Sequence, residues 1–231
     1  EMYCLAPSVY AADIMQLEQQ LRVMERAGVS CLHVDIMDGS FVPNLSFGPD
    51  FVKELKGYTD MKLDVHLMVD EPVRFIKAFA EVGSDVISVH LEACRDMEHT
   101  LDAIHAVGKE AGIVLKPETG LGRIPLAVWN KLDVLQVMTV APGLKGQHFN
   151  PLMLGKIAEA RQFSEGIGRD IDIEVDGDIT PDSLRLVMAA GANIIVVGKG
   201  LFVGSLEDNL RKYLTIMNNK GEERHALFNR N

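Results

Sequence analysis

Three stretches of the sequence repeat one pattern, in which a helix-like segment runs into a glycine, a short loop and then an apolar run. They read RAGVSCLHV at residues 26–34, EVGSDVISV at 81–89 and AAGANIIVV at 189–197. Glycine commonly ends a helix because it adopts the left-handed conformation at no steric cost. Strands that are joined through helices pair in parallel. The repeated pattern therefore predicts a parallel sheet built from alternating strands and helices.

Apolar runs of strand length recur along the chain, with helix-like segments between most of them: residues 4–7, 31–35, 63–67, 86–90, 112–115, 134–138, 171–175 and 193–197. A capping residue or a proline indicates helix starts at Asp13, at Glu71-Pro72 and at Thr180-Pro181. Eight strands in a chain of 231 residues favour a closed (β/α)8 TIM barrel over an open doubly wound sheet. Because no linker divides the chain, we expect one α/β domain over residues 1–231, with a polar tail at 217–231 that frays.

The charge and the cysteines narrow the range of partners. The net charge of −10 disfavours a nucleic acid or an acidic membrane as a partner. No apolar stretch approaches the length of a membrane span, and no secretory pattern opens the sequence. Cys4, Cys31 and Cys94 have no CxxC spacing, which is typical of reduced thiols. We therefore expect a cytoplasmic protein without nucleic-acid or membrane partners.

Polar side chains stand at the carboxyl ends of three predicted strands. His33 and Asp35 are two residues apart and so share one face of their strand, His66 lies at the end of the next strand, and Asp176 follows the seventh. Each one alone would fit a hydrogen-bonded core residue or a loop cap. Together they would meet at the active-site end of a barrel, where several unpaired buried charges would be costly. The set predicts a site for one divalent ion, Zn, Fe, Mn or Co rather than Ca.

Glycine-rich loops follow the last three predicted strands. They read APGLKGQ at residues 141–147, VDGDITPDS at 175–183 and VVGKGLF at 196–202. Such loops expose backbone N–H groups, and the loops after strands seven and eight are the usual phosphate site of barrels. One of these loops alone would indicate only a turn. The three together predict a phosphorylated substrate.

Several motifs in the same segments resemble the ribulose-phosphate 3-epimerase family. The matching pieces, in family order, are APSVY, HVDIMDGSFVPNLSFGP, DVHLMV, VMTVAPGLKGQHF, IEVDGDI and GANIIVVGKGLF. They cover nearly the whole chain, and HVDIMDGSFVPN is a specific signature. The resemblance implies a barrel enzyme that binds one divalent metal ion and a sugar phosphate and that assembles as a homo-oligomer.

The resemblance also implies roles for individual residues. His33, Asp35, His66 and Asp176 would ligate the metal, and Asp35 and Asp176 would also be the catalytic acid/base pair. The other matched positions surround the substrate in the family: Ser8 on the first strand, Met37, Met68 and Met138 beside the metal, Gly143, Leu144, Lys145 and Gly146 in the closing loop, and Gly177, Gly198 and Lys199 at the phosphate, with His66 also counted as a substrate contact.

The implied reaction is the interconversion of D-ribulose 5-phosphate and D-xylulose 5-phosphate, an isomerase step of pentose phosphate metabolism. It would proceed by proton transfer between two aspartates through an enediolate. Because the reaction involves no net redox change, it requires neither a nicotinamide nor a flavin. For any single one of the three methionines, flexible core filling is the competing interpretation.

The sequence departs from the family at the phosphate end. The usual GFGG loop is GLKG here, the usual DGG is Asp176-Gly177-Asp178, and the usual Gly-Ser is Gly198-Lys199. Lys145 and Lys199 thus add positive charge near the expected phosphate, and Asp178 adds negative charge. The VMTV motif resembles the D-allulose 6-phosphate 3-epimerase branch, which makes that hexulose the alternative substrate.

A decarboxylase or aldolase and a non-enzymatic sensor are the two other classes of function that such a barrel could have. A barrel decarboxylase or aldolase is disfavoured because the related decarboxylases carry an Asp-x-Lys-x-x-Asp motif on the third strand, and DVHLMV lacks the lysine. A sugar-phosphate sensor that kept the pocket and lost activity is the non-enzymatic alternative. The presence of Asp35 and Asp176 disfavours it.

Overall fold

The computed structural model describes residues 3–228 of the chain, with side chains described as far as residue 219. Eight strands form one sheet in which all paired neighbours run parallel. Their bounds are β1 Cys4–Pro7, β2 Cys31–Met37, β3 Lys62–Met68, β4 Val86–His90, β5 Glu110–Leu115, β6 Val134–Met138, β7 Asp172–Asp176 and β8 Ile194–Val197.

The strand order is β1-β8-β7-β6-β5-β4-β3-β2, so the first two strands occupy the two ends of the sheet. A parallel bridge between Ser8 and His33 connects these ends and brings the sheet almost to closure. A helix or helical turn follows each strand. The molecule is therefore a (β/α)8 TIM barrel, as the repeated pattern predicts.

Helices connect consecutive strands along the chain, and the last two helices follow the eighth strand. Within the described residues their bounds are α1 Leu17–Arg26, α2 Pro49–Tyr58, α3 Ile76–Glu81, α4 Met97–Ala106, α5 Leu126–Trp129, α6 Met153–Gly166, α7 Pro181–Ala190, α8 Lys199–Phe202 and α9 Leu206–Phe228. None of them combines the length and the apolar character needed to span a membrane.

Burial explains why the strands are nearly continuous apolar runs. Every residue of β2, β4 and β6 is buried, since parallel strands in a barrel are covered by helices on one face and by packed side chains on the other. The buried polar residues on the strands that matter for the site are His33 and Asp35 on β2, His66 on β3, His90 on β4 and Gln136 on β6.

The predicted strand positions agree with the structure, with small shifts at the ends. The predicted strands 4–7, 86–90 and 134–138 coincide with β1, β4 and β6. β2 and β3 continue to Met37 and Met68 because the two strands remain hydrogen-bonded there. Asp176 pairs with Met138 and is the last residue of β7 rather than the first residue after it.

Two predicted helix starts lie too early. Asp13 caps a 3-10 turn, Ile14–Gln16, by accepting a hydrogen bond from the Met15 amide, and α1 begins only at Leu17. The break arises at Gln16, whose φ of −124° and ψ of 15° are not helical.

Glu71 similarly precedes a 3-10 turn, Pro72–Arg74, and α3 begins at Ile76. The prediction at Thr180 is confirmed, because Thr180 and Ser183 form a reciprocal capping box at the start of α7.

The last helix covers part of the barrel and continues into the predicted polar tail. Tyr213, Ile216 and Met217 on α9 are buried. The backbone stays helical as far as Phe228, and residues 229–231 lie outside the described part of the chain. Fraying of the segment 217–231 remains a prediction.

Candidate metal and substrate site

The four predicted metal ligands converge at the carboxyl end of the barrel. One ligand atom from each of His33, Asp35, His66 and Asp176 lies within 4.8 Å of the other three. His33 Nε2 is 3.3 Å from Asp35 Oδ1 and 3.5 Å from Asp176 Oδ2. His66 Nδ1 is 3.2 Å from Asp35 Oδ1 and 3.7 Å from Asp176 Oδ2. Strand register produces this convergence, because Asp35 lies directly opposite His66 across β2 and β3.

His33 presents its Nε2 atom to this cluster. Its other nitrogen, Nδ1, lies 2.6 Å from Asp64 Oδ2 and 3.1 Å from Glu174 Oε1. A carboxylate accepts hydrogen bonds, so Nδ1 carries a proton, and Nε2 offers its lone pair to a metal ion once that ion replaces the second ring proton. This Nε2 atom is buried and has no hydrogen-bond partner among the described residues. A carboxylate behind a histidine is the usual second partner of a metal-ligating ring.

The charges around His33 favour a cation at this position. Burial by itself would lower the pKa of His33, but the carboxylates of Asp35 and Asp64 raise it well above its ordinary value. Burial by itself would raise the pKa of Asp35, but His33 and His66 hold it far below its ordinary value. Two imidazoles and two carboxylates are also a donor set that divalent transition metals accept. The residues present therefore fit one such ion.

Three polar residues that the sequence analysis did not single out, of which Gln136 and His90 are buried and Glu92 is half-buried, support His66 and Asp176. Gln136 on β6 places its amide Nε2 3.2 Å from Asp176 Oδ2 and 3.3 Å from His66 Nδ1. His66 Nε2 lies 2.8 Å from His90 Nε2, and His90 Nδ1 lies 3.2 Å from Glu92 Oε2. The signal that could have found His90 is the one used for His33, a histidine at the carboxyl end of an apolar strand.

His90 and Glu92 have displaced pKa values. Burial lowers the pKa of His90 to about 4, although Glu92 opposes the shift. Burial by itself would raise the pKa of Glu92, but hydrogen bonds from His90, Thr119 and the Lys116 amide lower it to about 2. The pair is therefore a neutral imidazole beside a carboxylate.

A cavity of about 460 Å³ opens above the cluster, and the predicted site residues line it except for His33 and His66. Those lining it are Ser8, Asp35, Met37, Met68, Met138, Gly143, Leu144, Lys145, Gly146, Asp176, Gly177, Gly198 and Lys199. His33 and His66 are completely buried. The cavity thus brings together both aspartates and all three glycine-rich loops.

The apolar side of the cavity comes from the three methionines. Met37 and Met68 lie opposite each other on β2 and β3 and pack with Val42. Met138 lies opposite Asp176 on β6 and β7, and its sulfur is 3.5 Å from the Gln136 amide nitrogen. All three are buried. They surround the two aspartates with groups that have no proton to exchange.

Ser8 connects β1 to the acidic cluster. Its hydroxyl donates a 2.7 Å hydrogen bond to Asp35 Oδ2. Because the other Asp35 oxygen faces His33 and His66, the serine holds the carboxylate in one orientation.

The glycine-rich loops approach their neighbours closely. A Cβ atom on Gly177, whose φ is +137°, would lie 2.6 Å from Thr139 Oγ1 and 2.7 Å from the Val140 amide nitrogen. A Cβ atom on Gly143, whose φ is +73°, would lie 2.5 Å from Val42 Cβ. Glycine is therefore required sterically at both positions.

The charged departures from the family pattern lie together at this end of the cavity. Asp178, with a left-handed φ of 50°, accepts a hydrogen bond from the Phe149 amide. Its Oδ1 is 3.7 Å from Lys199 Nζ, and its Oδ2 is 3.4 Å from His148 Nδ1. Lys145 Nζ lies over the Tyr10 ring, 5.6 Å from its centroid.

Comparison with known sequences identifies relatives over most of the chain. The model of the ribulose-phosphate 3 epimerase family matches residues 4–202. Ribulose-phosphate 3-epimerase of Bacillus subtilis (strain 168) is 42% identical over 202 residues, which are 87% of this chain and 93% of that protein. Ribulose-phosphate 3-epimerase of Escherichia coli (strain K12) is 38% identical over 203 residues, 87% of this chain and 90% of that protein.

Solved structures of lower sequence identity share the fold. 3-Hexulose-6-phosphate synthase from Salmonella typhimurium superposes with a TM-score of 0.68 at 15% identity, covering 94% of this chain and 99% of that one. 3-Keto-L-gulonate-6-phosphate decarboxylase from Vibrio cholerae superposes with a TM-score of 0.63 at 13% identity, covering 95% and 98%. At these identities the likeness concerns the barrel fold alone.

Proposed function

The chain belongs to the ribulose-phosphate 3-epimerase family, a family of isomerases, and we propose that it interconverts D-ribulose 5-phosphate and D-xylulose 5-phosphate. The observation that carries the proposal is the placement of two carboxylates, Asp35 and Asp176, on one cavity beside two buried histidines. Relatives named for this reaction at 42% and 38% identity support the same substrate.

The two aspartates are proposed as the acid/base pair. Inverting a carbon next to a carbonyl requires that a proton leave one face and another arrive at the opposite face. Asp35 lies near the carboxyl end of β2, and Asp176 is the last residue of β7. The strands β1 and β8 lie between them in the barrel. Substrate lying between these carboxyl groups would lose its C3 proton to one and receive a proton from the other. The roles exchange in the reverse reaction.

His33, Asp35, His66 and Asp176 are proposed to hold one divalent ion, whether Zn, Fe, Mn or Co. When bound, the ion would act as a Lewis acid that polarises the ketone and stabilises the negative charge of the enediolate. The unpartnered Nε2 of His33 and the two carboxylates facing it support this assignment.

Neighbouring residues are proposed to hold the aspartates and exclude water. Ser8 orients Asp35 through its 2.7 Å hydrogen bond, and Gln136 orients Asp176 through its amide. Met37, Met68 and Met138 cover the site with apolar surface, which strengthens electrostatic interactions inside it.

The glycine-rich loops are proposed to hold the phosphate. Gly143, Gly146, Gly177 and Gly198 border the cavity, and backbone N–H groups in such loops bind anions. Lys199 adds a cation at the same end, partly offset by Asp178. The loop of Gly143, Leu144, Lys145 and Gly146 is proposed to close over the substrate.

Replacing one proposed acid tests the mechanism. Asp176→Asn should lower turnover by at least about 10²-fold, since general acid/base catalysis contributes about 10²–10⁴-fold. Deuterium exchange at C3, followed by NMR in D2O, should fall with it. Asp178→Asn, which neutralises a carboxylate two residues away in the same cavity, is the matched control and should retain exchange.

Metal content must be measured for each variant, because Asp176 is also a proposed ligand. Near wild-type epimerisation by Asp176→Asn at unchanged metal content would refute the acid/base role. Metal bound without any C3 exchange in the wild-type protein would instead support the sensor alternative.

Relative kcat/KM on ribulose 5-phosphate and on D-allulose 6-phosphate tests the substrate. The proposal expects the pentulose to be preferred. A preference for the hexulose would overturn the substrate assignment and leave the reaction type standing. Assembly as a homo-oligomer and a cytoplasmic location remain predictions.

A further inference from the structure

We infer that Glu92 and His90 are positioning residues that orient His66, so that its Nδ1 atom rather than its Nε2 atom faces the metal position. The inference rests on the proposed role of His66 as a ligand. It concerns a buried histidine and a half-buried glutamate that the proposed acid/base chemistry does not use. Their contacts form a continuous chain, Glu92 Oε2 to His90 Nδ1 at 3.2 Å and His90 Nε2 to His66 Nε2 at 2.8 Å.

The donor and acceptor of each hydrogen bond from Glu92 to His66 can be assigned by starting at Glu92. The Lys116 amide can only donate, and it lies 2.8 Å from Glu92 Oε1, which anchors the carboxylate. A carboxylate only accepts, so the proton between Glu92 and His90 belongs to His90 Nδ1. Only one of the two facing Nε2 atoms can carry the proton between them, and with Nδ1 as the protonated nitrogen of His90 its Nε2 accepts. His66 Nε2 must donate to it, which leaves the lone pair of His66 on Nδ1.

A second set of contacts leads independently to the same result. The Gln136 amide group that lies 3.2 Å from Asp176 Oδ2 must be the NH2 group, because a carbonyl oxygen would face a carboxylate oxygen. The same nitrogen lies 3.3 Å from His66 Nδ1, which therefore also accepts. Two hydrogen-bond paths from opposite sides thus assign the lone pair of His66 to Nδ1.

The hydrogen-bonded chain behind His66 differs from the single carboxylate behind His33, and the local charge explains the difference. His33 is backed directly by Asp64 at 2.6 Å. A further carboxylate directly behind His66 would add negative charge beside the buried Asp35 and Asp64 and the partly buried Asp176. The His90 imidazole lies between His66 and Glu92 and fixes the His66 ring. The Glu92 charge therefore stays one ring farther from the cluster, and the Glu92 side chain is 17% exposed.

Metal affinity of the stripped protein tests the inference without using turnover. Zn²⁺ alone is titrated into metal-free wild type, Glu92→Gln and His90→Phe, with folding verified by circular dichroism. Glu92→Gln keeps the size of the side chain, and His90→Phe keeps a ring against Phe41, whose centroid is 4.8 Å from that of His90. Loss of such outer partners typically weakens metal binding about 10–100-fold.

A matched control comes from a histidine–carboxylate pair outside the site. His105 Nε2 lies 2.8 Å from Asp133 Oδ2 at the surface of the barrel. His105→Gln should leave the zinc affinity unchanged. Nitrogen-15 NMR of the zinc-loaded wild-type protein should find the ring proton of His66 on Nε2, and His90→Gln, which retains an accepting oxygen, should recover part of the affinity lost in His90→Phe.

The outcomes separate this inference from the proposed function. Zinc affinity within about twofold of wild type in both folded variants, or a His66 proton on Nδ1, overturns the positioning role alone. Failure of the wild-type protein to bind zinc or any other divalent ion overturns the proposed metal centre itself, and the positioning role with it.

Discussion

Steric space and charge at single residues shape the end of the cavity where the phosphate is proposed to bind. Gly177 lacks the Cβ atom that would collide with Thr139 and with the backbone of Val140. The next residue, Asp178, carries a carboxylate into the same region and adopts a left-handed φ that favours glycine or asparagine. Position 177 thus requires glycine, and the adjacent Asp178 adds a negative charge.

Replacing Gly177 should be costly for two reasons. Gly177→Ala combines a strained φ of +137° with contacts of 2.6–2.7 Å, so we expect a loss of about 2–4 kcal/mol in the free energy of unfolding and a large loss of activity. Gly204→Ala is the control, because Gly204 has a φ of +84° and open space around it. Denaturant unfolding measures both, and equal costs would contradict the steric account.

The charges of Lys199 and Asp178 should act in opposite directions on substrate binding. Lys199→Ser should raise KM for the sugar phosphate about three- to tenfold, and Asp178→Asn should lower it, because the phosphate is anionic. Steady-state kinetics at low and high salt should find both effects reduced by salt. Lys77→Ser, on the exposed face of α3, is the control. A KM that Lys199→Ser leaves unchanged would exclude a phosphate contact for this lysine.

Among the elements, the register of neighbouring strands assembles the site. Pairing of β2 with β3 places Asp35 opposite His66 and Met37 opposite Met68, and pairing of β6 with β7 places Met138 opposite Asp176. A shift of one residue in either pair would turn the ligands to the other face of the strands. The loops that line the cavity then add the backbone that is proposed to bind phosphate.

The capping box of α7 should contribute to stability directly after the cavity-lining loop. Thr180 Oγ1 accepts from the Ser183 amide, and Ser183 Oγ accepts from the Thr180 amide. Thr180→Ala should lower the free energy of unfolding by about 1 kcal/mol. Thr215→Ala, at an exposed position within α9, is the control and should not destabilise. Thermal unfolding of both variants checks this, and equal effects would argue against the cap.

Asp85, in the turn before β4, should make stability depend on acid. Burial by itself would raise its pKa, but Lys56 and the Leu63 amide, each 2.8 Å away, lower it below the ordinary value of 3.8. A lowered folded-state pKa contributes stability above the unfolded value that is lost as the pH falls through the folded value. Asp85→Asn should therefore flatten the stability profile below about pH 4, measured by urea unfolding. An unchanged profile would contradict this, and exposed Asp60→Asn is the control.

Periodicity and strand ends made most of the fold and part of the site predictable. Buried parallel strands such as β4 are continuous apolar runs, so their positions are apparent, whereas strand ends and the start of α1 depend on pairing and on the 3-10 turn after Asp13. His33, Asp35, His66 and Asp176 stand out as polar groups at strand ends. Gln136 and Glu174 do not, because one polar residue inside an apolar run acquires its partners only when strands distant in sequence become neighbours.

For the molecule as a whole, we expect metal binding at the buried anionic cluster to contribute to stability. Asp35 and Asp64 are both buried close to His33, so a cation that binds only the folded state should stabilise it. The gain is about 2.7 kcal/mol when the free metal is at 100 times its Kd.

Removing the metal should lower Tm and abolish epimerase activity together. Treatment with a chelator, followed by scanning calorimetry before and after Zn²⁺ or Mn²⁺ is restored, measures the effect. His33→Asn, which removes one proposed ligand, should make Tm nearly insensitive to the chelator. A chelated wild-type protein with unchanged Tm and full turnover would mean that the His33, Asp35, His66 and Asp176 cluster works without an ion.

Ser8 and His33 have a consequence for how the molecule is put together. Their bridge is the pairing that unites the first and last edges of the sheet within the described residues, and Ser8 also holds Asp35. A chain in which the seven other strand pairs have formed but this bridge has not would lack the serine that orients Asp35 in the proposed site. We therefore expect partly assembled forms in which the barrel has not closed to be inactive.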